Sequence, residues 1–238
     1  FTHFLLNLWL KRLKGMPTVI NLPTDRPRPA VQTFNGAVTR FTLSTEATDH
    51  LNALCHQHGV TLFMLLLGAW QVVLSRHTQQ QDVCVGTAIA GRNRRELEPL
   101  IGFFVNVLVM RLDVSDNPDF ITLLARIKDM TLGAYEHQDV PFEWLVEALN
   151  PVRSLSHSPL VQVGFALQNV PQSNVEVAEL RFSALENDWV AAKYELTLTM
   201  MESEGSLHGT LEYNTELFDV STVKRFTDHY QTFLQAII

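Results

Sequence analysis

Apolar positions recur along this chain with two periods, and the switches between them mark out its elements. Over residues 1–14, Phe1, Phe4, Leu5, Leu8, Trp9 and Leu13 fall on one side of a helix, and Gly15 is a natural stop. Ala37, Thr39, Phe41 and Leu43 alternate, which predicts a strand. A helix over roughly 45–58 ends at Gly59, and a second begins behind Thr61 as N-cap and runs to about Arg76. Leu62 to Leu74 carries no charge, so this second helix is expected to be buried nearly all round. A strand over 82–90 follows, then a charged loop over 91–98. Ile101-Gly-Phe-Phe-Val-Asn-Val-Leu-Val-Met-Arg111 is an apolar run broken only by Asn106, of the kind shown by a strand buried on both faces. Pro118 opens a helix behind Asn117, with Phe120, Leu123, Leu124, Ile127 and Ala134 on its core side. The next helix has Asp139 as N-cap and Pro141 in its first turn, and Phe142, Leu145, Val146 and Leu149 form its stripe. Strands are expected at about 160–168, 179–187, 194–202 and 207–214, before a last helix over 221–237. Strands and helices interleave, so the class is α/β or α+β with a mixed sheet.

Composition adds limits. At 238 residues, 46% hydrophobic and 18% charged, the chain is ample to bury a core. A net charge of −7 with no run of Lys or Arg argues against nucleic acid or an anionic membrane as main partner. Cys55 and Cys84 form no CxxC pair and sit in apolar surroundings, which predicts reduced, buried thiols. No stretch has the make-up of a signal peptide, and Leu62–Leu74 is shorter than the roughly 20 residues that span a bilayer, so a cytoplasmic location is expected. The start at Phe1, without methionine, suggests a piece of something longer. Met16 to Pro29 holds four prolines, which favours a stiff, extended connection between subdomains.

Asn106 poses the sharpest question. A buried amide without a partner costs about 1–3 kcal/mol, so Asn106 is satisfied either by backbone or water, or by a polar substrate in a tunnel that the strand lines. The wording around it bears on this. Ile101 to Arg111 resembles the IGxFVNxxxxR motif of nonribosomal peptide synthetase condensation domains. His137-Gln-Asp-Val-Pro-Phe-Glu143 resembles the HQDxPFE motif of the same family, and Arg153-Ser-Leu-Ser-His-Ser-Pro-Leu160 resembles its next motif, usually RDxSRNPL. The three stand in the family's order, and the LPTDRPRP wording before Ala30 matches the segment after the first half of such domains.

The resemblance implies the C-terminal part of a condensation domain. Residues 1–29 would be a helix and proline-rich linker from a missing N-terminal subdomain. Residues 30–238 would be a chloramphenicol-acetyltransferase-like subdomain, a mixed sheet flanked by helices. Such domains join an upstream acyl or peptidyl thioester to the amine of an aminoacyl thioester, both tethered by phosphopantetheine to carrier proteins. No cofactor is then bound by the chain itself. The implied partners are donor and acceptor carrier proteins, the N-terminal subdomain and the adjacent adenylation domain, with no nucleic acid and no membrane.

The family's HHxxxDG signature is absent, since none of the nine histidines has another beside it. No catalytic residue and no metal ligand is therefore assigned, and the isolated chain is expected to be inactive. His208-Gly-Thr-Leu-Glu212 is the nearest local pattern, but it lies in an expected strand and lacks the glycine. His137 looks like acid–base equipment, yet adjacent residues share no helix face, and a capping and turn role for Asp139, Pro141 and Phe142 explains the motif better. Asn106 and Ser158 are expected to face the tunnel and Arg92, in a GxxxAGR segment, to lie near the carrier arm or to be a solvated arginine. Ser154, His157 and Ser158 depart from the family's usual Asp, Arg and Asn. Gly102, Arg111, His137, Asp139, Pro141, Phe142 and Arg153 are expected to be structural, Arg153 by an ion pair or by touching substrate. Residues 86–101 fit the family's floor loop, and Asn169 to Ala192 fits the latch that crosses to the other subdomain. An epimerization or heterocyclization subtype is an alternative within the family. A non-catalytic module that grips carrier proteins is an alternative from another class.

Overall fold

The computed structural model describes residues 2–168, 176–177, 180–181 and 190–238. Its frame is a seven-stranded sheet built from β1 (Asn35–Leu43), β2 (Asp82–Ile89), β3 (Asn106–Asp113), β4 (Val163–Gln168), β7 (Val190–Ala191), β8 (Leu196–Ser203) and β9 (Ser206–Asn214). Two further short strands, β5 (Glu176–Val177) and β6 (Leu180–Arg181), pair only with each other. The order is β3-β2-β4-β8-β9-β1-β7, so β3 and β7 are the edges. β4 runs parallel to β2 and β8, and the other pairings are antiparallel. This is the expected mixed sheet.

Among the described residues six α-helices accompany it: α1 (Thr2–Leu13), α2 (Thr45–His58), α3 (Leu62–Thr78), α4 (Phe120–Tyr135), α5 (Phe142–Leu149) and α6 (Val220–Ala236). α2 starts where Ser44 Oγ accepts from the Ala47 N–H, and it ends at Gly59, whose φ of 59° is left-handed. Thr61 caps α3, as its spacing foretold. α3 is the central helix: Leu65, Leu66, Trp70 and Leu74 are fully buried, and Tyr230 of α6 donates its hydroxyl to the Leu66 carbonyl at 3.1 Å. The Trp70 and Tyr230 rings meet edge to face, 5.8 Å apart. Leu198, Leu211 and Phe165 carry this core onto the sheet. Among the described residues no single helix is long and apolar enough to cross a membrane.

The structure departs from the sequence reading in four places. First, the apolar run at 101–111 is a strand only from Asn106 onward. Ile101 and Phe103 are exposed, because they lie beyond the end of β2 at Ile89 and have no strand to pair with. Second, α4 is capped by Asp119, whose carboxylate accepts from the Thr122 backbone and hydroxyl at 2.9 Å each. Asn117 instead takes a left-handed φ of 50°. Third, β4 starts at Val163, after Leu160 turns the chain with a φ of 62°. Fourth, the proline-rich stretch is extended but does not hang free. Met16, Ile20 and Leu22 are buried in the same core as Trp9 and Leu13 of α1, because apolar side chains at this spacing find uncovered surface beside β2 and β3. The expected strand at 179–187 and the expected latch at 169–192 lie for the most part outside the described residues.

Candidate functional site

Asn106 stands at the first position of β3, and its amide is fully occupied. Nδ2 donates to the carbonyls of Gln138 at 2.9 Å and Val140 at 2.8 Å. Oδ1 accepts from the backbone N–H groups of Val107 at 2.9 Å and Phe142 at 3.0 Å. The amide therefore fastens the HQDVPF turn to the sheet edge and satisfies the first N–H of α5. Of the two readings of Asn106 the backbone one holds: both donors and both lone pairs are used inside the protein, and the amide is not left free for a substrate. It also replaces the expected cap. Asp139 is exposed and accepts from Asn93 Nδ2 at 3.2 Å, while Pro141 holds the N-cap position of α5 with no side-chain bond of its own.

The rest of that turn is held from below. The His137 carbonyl accepts from Trp9 Nε1 of α1 at 2.9 Å, and His137 Nδ1 is buried without a partner among the described residues. Arg111 forks onto Asp82, with Nη2 2.7 Å and Nε 3.0 Å from the two carboxylate oxygens, and its Nη1 donates to the carbonyls of Arg12 and Lys14 at the end of α1. Those bonds to Asp82 raise the guanidinium's pKa further.

Arg92 is not the solvated arginine that was one of the two expectations for it. Its guanidinium lies 4.4 Å over the Phe104 ring and donates to the carbonyls of Leu97, Glu98 and Gly102. It thus gathers the loop 91–105, in which Gly102 is exposed. Gly91 permits the same closure, since its φ is 64° and a Cβ there would fall on the Phe104 carbonyl.

The RSLSHSPL segment forms a second cluster. Ser158 is half-buried, and its carbonyl accepts from Gln162 Nε2 at 2.7 Å and from His157 Nδ1 at 3.1 Å. Gln162 was not foreseen: its Oε1 accepts from the Ile20 N–H and its Nε2 donates also to Thr18, which ties this segment to the proline-rich stretch. Arg153 is exposed and makes no ion pair among the described residues, against one of the two roles expected for it. It borders a cavity of about 310 Å³ between the end of α5 and the loop 150–159.

Two arginines of LPTDRPRP also escape a reading of the sequence alone. Arg28 forks onto the buried Glu195 at 2.7 and 3.0 Å, and Arg26 reaches Asp219 at 2.8 Å. Two cations inside a proline-rich stretch are the available signal, but their acids lie at least 160 residues downstream.

Burial pushes the Cys55 thiol up to about 11 and the Cys84 thiol up to about 12, so neither is a thiolate at neutral pH. Among the described residues no three His, Cys, Asp or Glu side chains gather as metal ligands. His208 bonds Thr42 across the β1–β9 pair at 3.2 Å, four strand spacings from β3 and hence roughly 19 Å from Asn106.

Comparison with known proteins gives these clusters a common context. A family model described as "Condensation domain" matches residues 6–238. One of the linear gramicidin synthase proteins of Brevibacillus parabrevis is 50% identical over 232 residues, which cover 97% of this chain and 4% of that protein. The crystal structure of the X-domain from teicoplanin biosynthesis superposes with a TM-score of 0.90 at 26% identity, over 99% of this chain and 54% of that one. A four-domain nonribosomal peptide synthetase crystallised with AMP and glycine gives 0.87 at 26% identity, over 98% of this chain and 19% of that one. The chain thus spans only a few hundredths of the length of its curated relatives. The match runs through all three motif segments and the sheet that carries them, and the chain belongs to the condensation-domain family of nonribosomal peptide synthetases.

Proposed function

We propose that this chain is the C-terminal part of a condensation domain that forms an amide bond between two carrier-tethered thioester substrates. One observation carries the reading. Two of the family's motif words meet at Asn106, which bonds the end of the IGFFVN segment to the HQDVPF turn, so these words describe a scaffold rather than a reaction centre. In this reading the chain supplies tunnel wall, floor loop and latch, and a second subdomain supplies the histidine. An amine attacking a thioester needs its two arms held in register and a stabilised oxyanion more than a protein nucleophile. The exposed apolar side chains of Leu100, Ile101, Phe103 and Val105 support a partner on that side. Donor and acceptor carrier proteins bring the phosphopantetheine arms, and an adenylation domain of the same synthetase is the neighbour.

The test is dipeptide formation between two loaded carrier proteins, with this chain alone and with the chain extended upstream. Product from the extended chain only is the expected result. Product from this chain alone overturns the division of labour, and no product from either overturns amide synthesis in favour of a carrier-gripping module.

A further inference from the structure

His77 and His229 lie outside the three motif segments, and the scaffold around Asn106 does not use them. His77 stands in the last turn of α3 and His229 in the middle of α6. Where the two helices meet, Nε2 of His77 lies 2.9 Å from Nδ1 of His229, with 5.0 Å between the ring centroids. Phe226, one turn before His229, stacks on the His77 ring at 3.9 Å and fixes it. His229 is exposed, so its ring is free to adjust.

The nitrogen separation is that of a chelating pair. Two imidazole nitrogens at about 2.0–2.1 Å from one ion stand about 2.9 Å apart at a right angle and about 3.4 Å apart at the tetrahedral angle. The 2.9 Å found here matches neighbouring positions of a square-planar or octahedral ion, the geometry of copper(II) and nickel(II) rather than of zinc. Without an ion, one ring donates its N–H to the other. For both inner nitrogens to ligate, that proton moves to the outer nitrogen of its ring, so no charge changes at the pair. Burial, with His229 and Arg225, pushes the His77 pKa down to about 4, so at neutral pH no proton competes for the inner ring.

The surroundings admit a cation. Two guanidiniums are near, and both are held elsewhere: Arg76 donates to Asn117 Oδ1 at 3.2 Å and Arg225 to the Thr222 hydroxyl at 2.8 Å. The negative end of the α3 dipole offsets their charge in part. A groove of about 340 Å³ opens beside the pair, walled by Val72, Val73, Phe233 and Ala236, and it leaves room for an ion's remaining ligands. No third His, Cys, Asp or Glu joins the pair among the described residues, so those positions fall to solvent.

We propose that His77 and His229 chelate a tetragonal transition-metal dication, copper(II) in preference to nickel(II), and that the bound ion clamps the end of α3 to α6. An ion held by both helices binds the folded chain better than the unfolded one and stabilises it by mass action. The inference uses none of the condensation motifs and stands or falls apart from that reading.

The experiment titrates the chain with Cu²⁺, Ni²⁺ and Zn²⁺ in the wild type, in His77→Phe and in His229→Gln. The amino terminus is acetylated, because a free amine with histidine third in the chain, as in Phe1-Thr-His3, binds copper by itself. Calorimetry gives the affinity, and electron paramagnetic resonance counts the nitrogens on copper. One Cu²⁺ per chain with two imidazole nitrogens is expected, with Ni²⁺ and Zn²⁺ weaker by about tenfold or more. Either substitution should weaken copper by about tenfold or more and remove a nitrogen from the spectrum. Copper should raise the melting temperature of the wild type and of neither variant. H229Q alters an exposed side chain and keeps the fold, so it decides the matter even if H77F does not fold. Copper that binds H229Q as tightly as the wild type overturns the proposal and marks other histidines as its site. A wild-type spectrum with a single nitrogen, zinc bound as tightly as copper, or binding with no rise in melting temperature overturns it as well.

Discussion

Asn106 makes four hydrogen bonds to three stretches of backbone, and no other side-chain type of its size offers two donors and two acceptors in one plane. Asn106→Ala would leave the Gln138 and Val140 carbonyls and the Phe142 N–H unpaired, at an expected cost of about 2–4 kcal/mol in urea unfolding. A loss below about 0.5 kcal/mol, as for an ordinary surface change, would contradict this role. Asn106→Asp keeps the acceptors but sets a carboxylate against two carbonyl oxygens, so its destabilisation should grow as pH rises through the carboxylate range. His77 gives a second titration. Its ring stacks on Phe226 at 3.9 Å between centroids and lies 2.9 Å from the His229 ring nitrogen. Burial first, then His229 and Arg225, push its pKa down to about 4 from 6.5, and Arg76 lines the same groove. The fold therefore holds His77 neutral. The stability tied to it is complete above pH 6.5 and is lost as pH falls from there toward about 4. Its half-exposure weakens the effect, so a modest change of slope is expected: His77→Phe should flatten the decline of melting temperature between pH 6.5 and 4, and an unchanged slope would remove His77 from the acid response.

At the scale of elements, one buried ion pair adds to the bonds of Gln162 in tying the proline-rich stretch to the sheet. Glu195 is 3% exposed and its partner Arg28 23%, and Arg28 also donates to the Ile20 carbonyl. Arg28→Met should cost about 3–5 kcal/mol by stranding the Glu195 charge, and adding Glu195→Met should recover much of it, since an apolar pair avoids the desolvation penalty. Denaturant midpoints of the two single variants and the double variant check this, and additive losses would show that the pair does not act as a unit. These elements also show what a sequence discloses. α2 and α3 are legible because each carries its own boundaries: Thr61 before an apolar run, and Gly59 where a left-handed residue is needed. The HQDVPF turn is legible as a motif but not as a geometry. Its cap is an amide 36 residues upstream, and no local pattern points to it. The run at 101–111 misleads because a strand buried on both faces and an apolar loop have the same composition, and only the end of the neighbouring strand tells them apart. Arg28 stays hidden for the same reason as the bonds of Asn106: its partner is remote, and long-range pairing leaves no period in the sequence.

The whole molecule is most unusual where that loop emerges. β3 is an edge strand, and just before it Ile101 and Phe103, the latter 88% exposed, stand out beside Leu100 and Val105. The loop is not a loose tail, since Arg92 stacks on Phe104 and bonds three of its carbonyls, so the apolar side chains are presented on a braced backbone. Solvating such a patch brings no stability, and a braced apolar surface of several residues marks a contact site. The condensation reading assigns the contact to the N-terminal subdomain. The chain alone should then bind an apolar-surface dye and sediment partly as an oligomer, or pair with a polypeptide carrying that subdomain. Ile101→Asp with Phe103→Asp should abolish both signals while leaving the unfolding midpoint within about 0.5 kcal/mol of the parent, because neither side chain is buried in the core. A parent chain that sediments as a clean monomer with no dye signal would deny the surface any partner. An Asp variant that loses stability instead would place these side chains in the fold rather than at its contact.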